Sequence, residues 1–175
     1  MNDLRKKRDL DFLREKFIAD LDLSRLKSIC RSKLRGKEKT LVKVGDGSDF
    51  SVWLLEQEKK TPLAIHMSHK SKETEACRLK QLKWQKAVAK LQCLYLPLIP
   101  PVQVFSVEEK IFMVSPYGKE DQSQVAPQWC PLEHEISGLK KNLFRHKLQI
   151  NDHLQIRTYK GIPFVCDLSD LVEIT

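Results

Sequence analysis

This sequence is short of several things at once. Its 175 residues include six glycines and only 7% aromatic side chains. So few aromatics, with no K/R-G-F-type stacking run, argue against a nucleic-acid-binding protein, and no nucleic-acid partner is expected. The five cysteines, Cys30, Cys77, Cys93, Cys130 and Cys166, are an odd number without a Cys-x-x-Cys pair. That spacing argues against a zinc site and a disulfide framework, and favours reduced thiols in a cytoplasmic protein. No apolar run reaches the roughly 18–20 residues that cross a bilayer. The best stretch, Leu94 to Val107, is broken by Pro97, Pro100 and Pro101. The opening MNDLRKKRDLDF carries charge with no apolar stretch behind it, unlike a secretory signal, so no membrane partner is expected.

What is present is an ordinary apolar fraction, 41%, in a length that suits one domain. Lys and Arg total 31 against 23 Asp and Glu, a net charge of +8. Residues 1–100 hold 23 of the bases and 13 of the acids, whereas residues 101–175 hold 8 and 10. A basic front half suits nucleic acid, a phosphate ligand or a lipid surface, and is also what a merely solvated face looks like.

Along the chain, Leu10, Leu13 and Phe17 repeat at helical spacing, with Leu4, Phe12, Ile18 and Leu21 widening the stripe, and Asp22 or Ser24 can cap a second helix carrying Leu23, Leu26, Ile29, Cys30 and Leu34 before Gly36 stops it. TLVKV, SVWLLE and TPLAIHM are short β-rich runs separated by turns. Residues 73–94 return to a helical pattern with Leu79, Leu82, Ala87 and Leu91 on one side. PVQVFSV and KIFMVSP read as strands about a Glu108–Glu109–Lys110 turn. Residues 119–131 form a polar loop, 132–147 a helix, and INDHLQIR with IPFVCDL a last hairpin around Gly161. This order predicts an α+β fold with a mainly antiparallel sheet.

Glycine lets backbone approach a ligand closely, and a glycine-bearing turn between strands can lay N–H groups over phosphates. Val44–Gly45–Asp46–Gly47–Ser48–Asp49–Phe50–Ser51–Val52 also suits a plain hairpin turn. Taken with its neighbours, it resembles the glycine-rich loop of the protein kinases, G-x-G-x-x-G-x-V, with Phe50 in place of the third glycine. Leu63–Ala64–Ile65–His66 resembles the V-A-I-K strand, Glu75 the glutamate of the helix that follows, and Phe112 to Gly118 the hinge. Ile150 to Ile156 and Gly161 to Ser169 resemble the catalytic loop, a hairpin and the D-F-G segment.

The resemblance implies a nucleotide held by Val44, Gly45, Gly47, Val52, Ala64, His66, Glu75, Ser115, Tyr117 and Gly118. It further implies Mg²⁺ on Asp167 and Gln155, with Asp170 in reserve, and Asp152 as the catalytic aspartate. His66 stands where the family has a lysine, which leaves Lys43, Lys70 or Lys72 to supply a cation. Ser169 replaces the glycine after the metal aspartate. A second register lays His146–Lys147–Leu148 over H-R-D and has no catalytic aspartate; the first is preferred, because Asp152 leads into a strand.

The domains expected are a helical arm over 1–38, a kinase-like lobe of five antiparallel strands plus a helix over 39–118, and a minimal second lobe over 119–175. A lobe with so few helices leaves apolar surface that the arm or a second copy, as a homodimer, would cover. The function implied is an ATP- and Mg²⁺-dependent Ser/Thr kinase acting on itself or another protein. The alternatives are a pseudokinase that binds nucleotide or protein, and a sugar kinase of the lipopolysaccharide-core type.

Overall fold

The computed structural model describes residues 2–69, 75–119, 130–150 and 154–175. The fold is α+β and divides into two compact units. One comprises Leu13–Lys72 and Pro101–Tyr117; the other comprises Met1–Phe12, Glu73–Pro100 and Gly118–Thr175.

The first unit is built on a sheet of β1 (Val42–Asp46), β2 (Phe50–Leu55), β3 (Leu63–Ser68), β4 (Gln103–Val107) and β5 (Lys110–Pro116). All pairings are antiparallel, in the order β1-β2-β3-β5-β4. Alternation along the strands puts Leu55, Leu63, Ile65, Phe105, Val107, Phe112 and Val114 on one face. There they form one core with Phe17 of α1 (Asn2–Asp20), Leu26 and Cys30 of α2 (Leu23–Leu34), and Leu41. Each large apolar side chain buried this way contributes about 1.5–3 kcal/mol. Phe105 and Phe112, directly opposite on β4 and β5, stack with centroids 5.6 Å apart.

Local chemistry fixes both ends of α2. The Asp22 carboxylate accepts the Arg25 N–H at 3.0 Å. At the other end Gly36 takes a left-handed φ of +69° while its N–H donates to Lys33 O and that of Lys37 to Ser32 O, a Schellman closure.

The second unit contains α3 (Glu75–Cys93), α4 (Cys130–Arg145) and two strand pairs. β6 (Leu148–Ile150) pairs with β9 (Leu171–Glu173), and β7 (Ile156–Tyr159) with β8 (Ile162–Val165) across Lys160–Gly161. Trp84, Ala87, Val88 and Leu91 form the buried stripe of α3, and the Trp84 indole N–H donates to Leu168 O at 2.9 Å. Lys90 reaches Glu173 of β9 at 2.6 Å.

Two details depart from the sequence reading. The stripe at 84, 87, 88 and 91 follows i, i+3, i+4, i+7 and turns Leu79 and Leu82 outward, where they are 53% and 55% exposed. The last hairpin is shorter than expected, because residues 148–150 pair with β9 instead of joining β7. No helix among the described residues is long and apolar enough to cross a membrane.

Candidate functional site

The ladder of the five-stranded sheet gathers residues that are far apart in sequence. Gly45 pairs with Val52, Val52 with His66, and His66 with Met113, which makes one row across the face opposite the α2 core. The adjacent row runs Leu54, Ala64, Ser115. Gly45, Val52, Ala64, His66 and Ser115 thus share one sheet face because cross-strand partners point the same way. A methyl group built at Gly45 would lie 3.6 Å from Val52 Cβ, an ordinary contact, so the glycine leaves a methyl-sized gap beside Val52. Val52 is half-buried, whereas Ala64, His66, Met113 and Ser115 are buried. His66 is 4% exposed, so its imidazole is a core side chain of the sheet.

The hairpin between β1 and β2 is closed by Gly47 N–H donating to Phe50 O at 2.8 Å. Val44, next to the register shift in β1, is 37% exposed. Sequence reasoning missed His69, which fastens this tip. Its Nε2 lies 2.7 Å from Gly47 O and 3.4 Å from Asp46 Oδ1, and its backbone N–H donates to Asp49 O at 3.0 Å. A carbonyl only accepts, so Nε2 carries the proton. Lys43 Nζ bonds Asp46 Oδ2 at 2.7 Å, and that bond, helped by the charges of Lys43 and His69, holds the Asp46 carboxyl below its ordinary range. Lys43, one candidate for the missing cation, is therefore engaged by Asp46; Lys70 and Lys72 lie outside the described residues. Nothing in the residue types announced His69, since its role depends on the strand register.

At the end of β5, the Tyr117 N–H donates to Pro62 O at 2.8 Å, which engages one amide of the hinge-like segment. Gly118 belongs to the second unit. A Cβ there would come within 2.8 Å of both Arg157 Cβ and Phe164 Cζ, so close packing against β7 and β8 requires glycine.

In the second unit, Cys166 N–H donates to Gln155 O at 2.9 Å, and its Sγ lies 3.7 Å from Gln155 Oε1. Gln155 is thereby held opposite the residue preceding Asp167. Asp167 Oδ1 accepts the Ser169 N–H at 2.9 Å, a local turn that fixes the carboxylate. Burial pushes the Cys166 thiol above its ordinary range, against the opposing charge of Arg157. Glu75 opens α3 and is exposed, where a negative charge complements the helix N-terminus. Asp152, expected to be catalytic, lies outside the described residues, as does His153; in sequence it falls between β6 and β7. Among the described residues, no three His, Cys, Asp or Glu side chains gather into a metal-binding group.

No protein-family model matches this chain, and no curated protein matches it.

Proposed function

We propose that this chain is an ATP- and Mg²⁺-dependent phosphotransferase of the protein-kinase-like kind, a minimal Ser/Thr kinase with itself or another protein as acceptor. The observation that carries the reading is the convergence of Gly45, Val52, Ala64, His66 and Ser115, drawn from four strands, onto one sheet face. Of the apolar side chains on that face Ala64 and Met113 are buried, so the half-buried Val52, beside the gap at Gly45, is where the flat base of a nucleotide would lie.

Phosphoryl transfer asks the protein for positioning and charge neutralisation more than for covalent chemistry. Mg²⁺ prefers oxygen ligands, which the Asp167 carboxylate and the Gln155 amide would supply from segments tied together by the Cys166–Gln155 backbone hydrogen bond. When bound, the ion would neutralise phosphate charge. Asp152 would orient the acceptor hydroxyl.

The test is thermal unfolding with ATP, with and without Mg²⁺, followed by transfer of labelled γ-phosphate. A ligand bound by the native state raises the midpoint. The expected result is a rise that needs both components, together with transfer that Asp152→Ala and Asp167→Ala each abolish while the variants stay folded. An unchanged midpoint at millimolar Mg·ATP overturns the reading, and so does wild-type transfer by Asp167→Ala.

A second reading has its own support. His66 is buried where a cation is needed, and the amides of Gly47 and Tyr117 are already engaged. These features favour a pseudokinase that binds nucleotide or protein without transfer. A midpoint shift with no transfer from the wild-type chain selects it.

A further inference from the structure

The outward face of α2 carries a charge pattern that the nucleotide reading does not use. Between residues 23 and 44 there are eight Lys and Arg and one acid, Glu38. Glu38 is occupied locally, accepting from both the N–H and the hydroxyl of Thr40. Within α2 itself there is no acidic side chain. The helix turns Leu26 and Cys30 into the sheet core, so the opposite side is fixed by geometry.

On that side Lys27, Arg31 and Arg35 succeed one another at i, i+4, i+8, and Ser24, Ser28 and Ser32 form a parallel row. Ser24, Ser28, Arg31 and Arg35 are exposed; Lys27 and Ser32 are half-buried. Four residues of helix rise about 6 Å, so each row presents a polar group at that step. Two acids near this face are Asp22, which is tied to the N-terminus of α2, and Glu108, 3.9 Å from Arg35 across an exposed gap.

We propose that this face docks the phosphate backbone of a nucleic acid, without reading its sequence. Charge complementarity selects a polyanion. The interleaved hydroxyls select phosphate oxygens, which accept from Ser as well as from Arg and Lys. None of the large exposed apolar side chains lies on α2, which disfavours both an inserted lipid surface and an amphipathic partner helix. The low aromatic content argues against base stacking; contact with the backbone does not need it.

The experiment is fluorescence anisotropy of the full chain with a labelled single-stranded RNA of about 20 nucleotides and a duplex DNA of unrelated sequence, from 50 to 200 mM salt. Both probes are expected to bind, with log affinity falling linearly in log salt. Lys27→Gln with Arg31→Gln should weaken binding roughly tenfold at low salt and reduce the slope by about 1.5. Lys83→Gln with Lys86→Gln, removing two exposed cations of α3, should leave binding unchanged. Circular dichroism establishes that each variant keeps its helix content. Lack of binding at 50 mM salt overturns the proposal. Equal weakening by the α2 and α3 pairs overturns it too, because it would mean diffuse charge, and so does binding to phosphatidylserine vesicles but to neither nucleic acid.

Discussion

The five-stranded sheet and the C-terminal strand pairs hold their candidate residues by different means. In the sheet, Gly45, Val52, Ala64, His66 and Ser115 are brought together by register, that is, by backbone pairing indifferent to which side chain sits at each position. Around Asp167, positions are held by particular closures: Ser169 N–H on the carboxylate, Cys166 on Gln155, and Gly118 against Arg157 and Phe164. A site held by register tolerates substitution at its members; a site held by closures fails when one contact is overfilled.

Two glycines test this most sharply. Gly118→Ala forces a Cβ within 2.8 Å of Arg157 Cβ and Phe164 Cζ, and is expected to cost about 2–3 kcal/mol. Gly45→Ala meets Val52 at 3.6 Å and is expected to cost no more than about 1 kcal/mol. Chemical denaturation of both variants decides the comparison, and equal losses would break it. Gly36→Ala lies between them: no atom stands within 4 Å, but the φ of +69° is left-handed, so a loss of about 1–2 kcal/mol is expected from conformation alone. A gain is expected at Thr61, which is 1% exposed and whose hydroxyl has no hydrogen-bond partner among the described residues. Thr61→Val removes that buried polar group and should stabilise by about 1 kcal/mol on the same denaturation curve.

The sheet was legible in the sequence because alternation and turn residues mark each strand locally. The stripe Leu10, Leu13 and Phe17 was legible for a similar reason, all three being buried at 5%, 1% and 3%, but Phe12 and Ile18, read as widening it, point outward at 64% and 70% exposure. Leu79 and Leu82 were misassigned because two helical periods overlap in α3, and only the one containing Trp84 finds a tertiary partner. The β6–β9 pairing was hidden because it joins residues more than 20 positions apart, with no turn signal to announce it. Of the candidate site, the motif residues could be read off but the latch at His69 could not. A histidine just past β3 meets Gly47 only once β1, β2 and β3 have taken this register.

The smallest effect at neutral pH contrasts the buried thiol of Cys30 with the half-buried one of Cys166. Burial, reinforced by the charge of Glu38, pushes Cys30 up to about 12, whereas Arg157 partly opposes burial at Cys166. The folded thiol at Cys30 therefore holds its proton well above the pH where an unfolded cysteine, near 9, gives it up. Its contribution to stability is complete below about 9 and is lost as pH climbs towards about 12, because ionisation then favours the unfolded chain. Wild type minus Cys30→Ala, followed by denaturation from pH 7 to 11, should show a stability difference that is level up to about 9 and declines above it. A thiol reagent at pH 8 reports the same contrast kinetically: exposed Cys93 should react first, Cys166 later, and Cys30 only as the chain unfolds. If Cys30 reacted as fast as Cys93, the packing of α2 onto the sheet would be far looser than its 0% exposure requires.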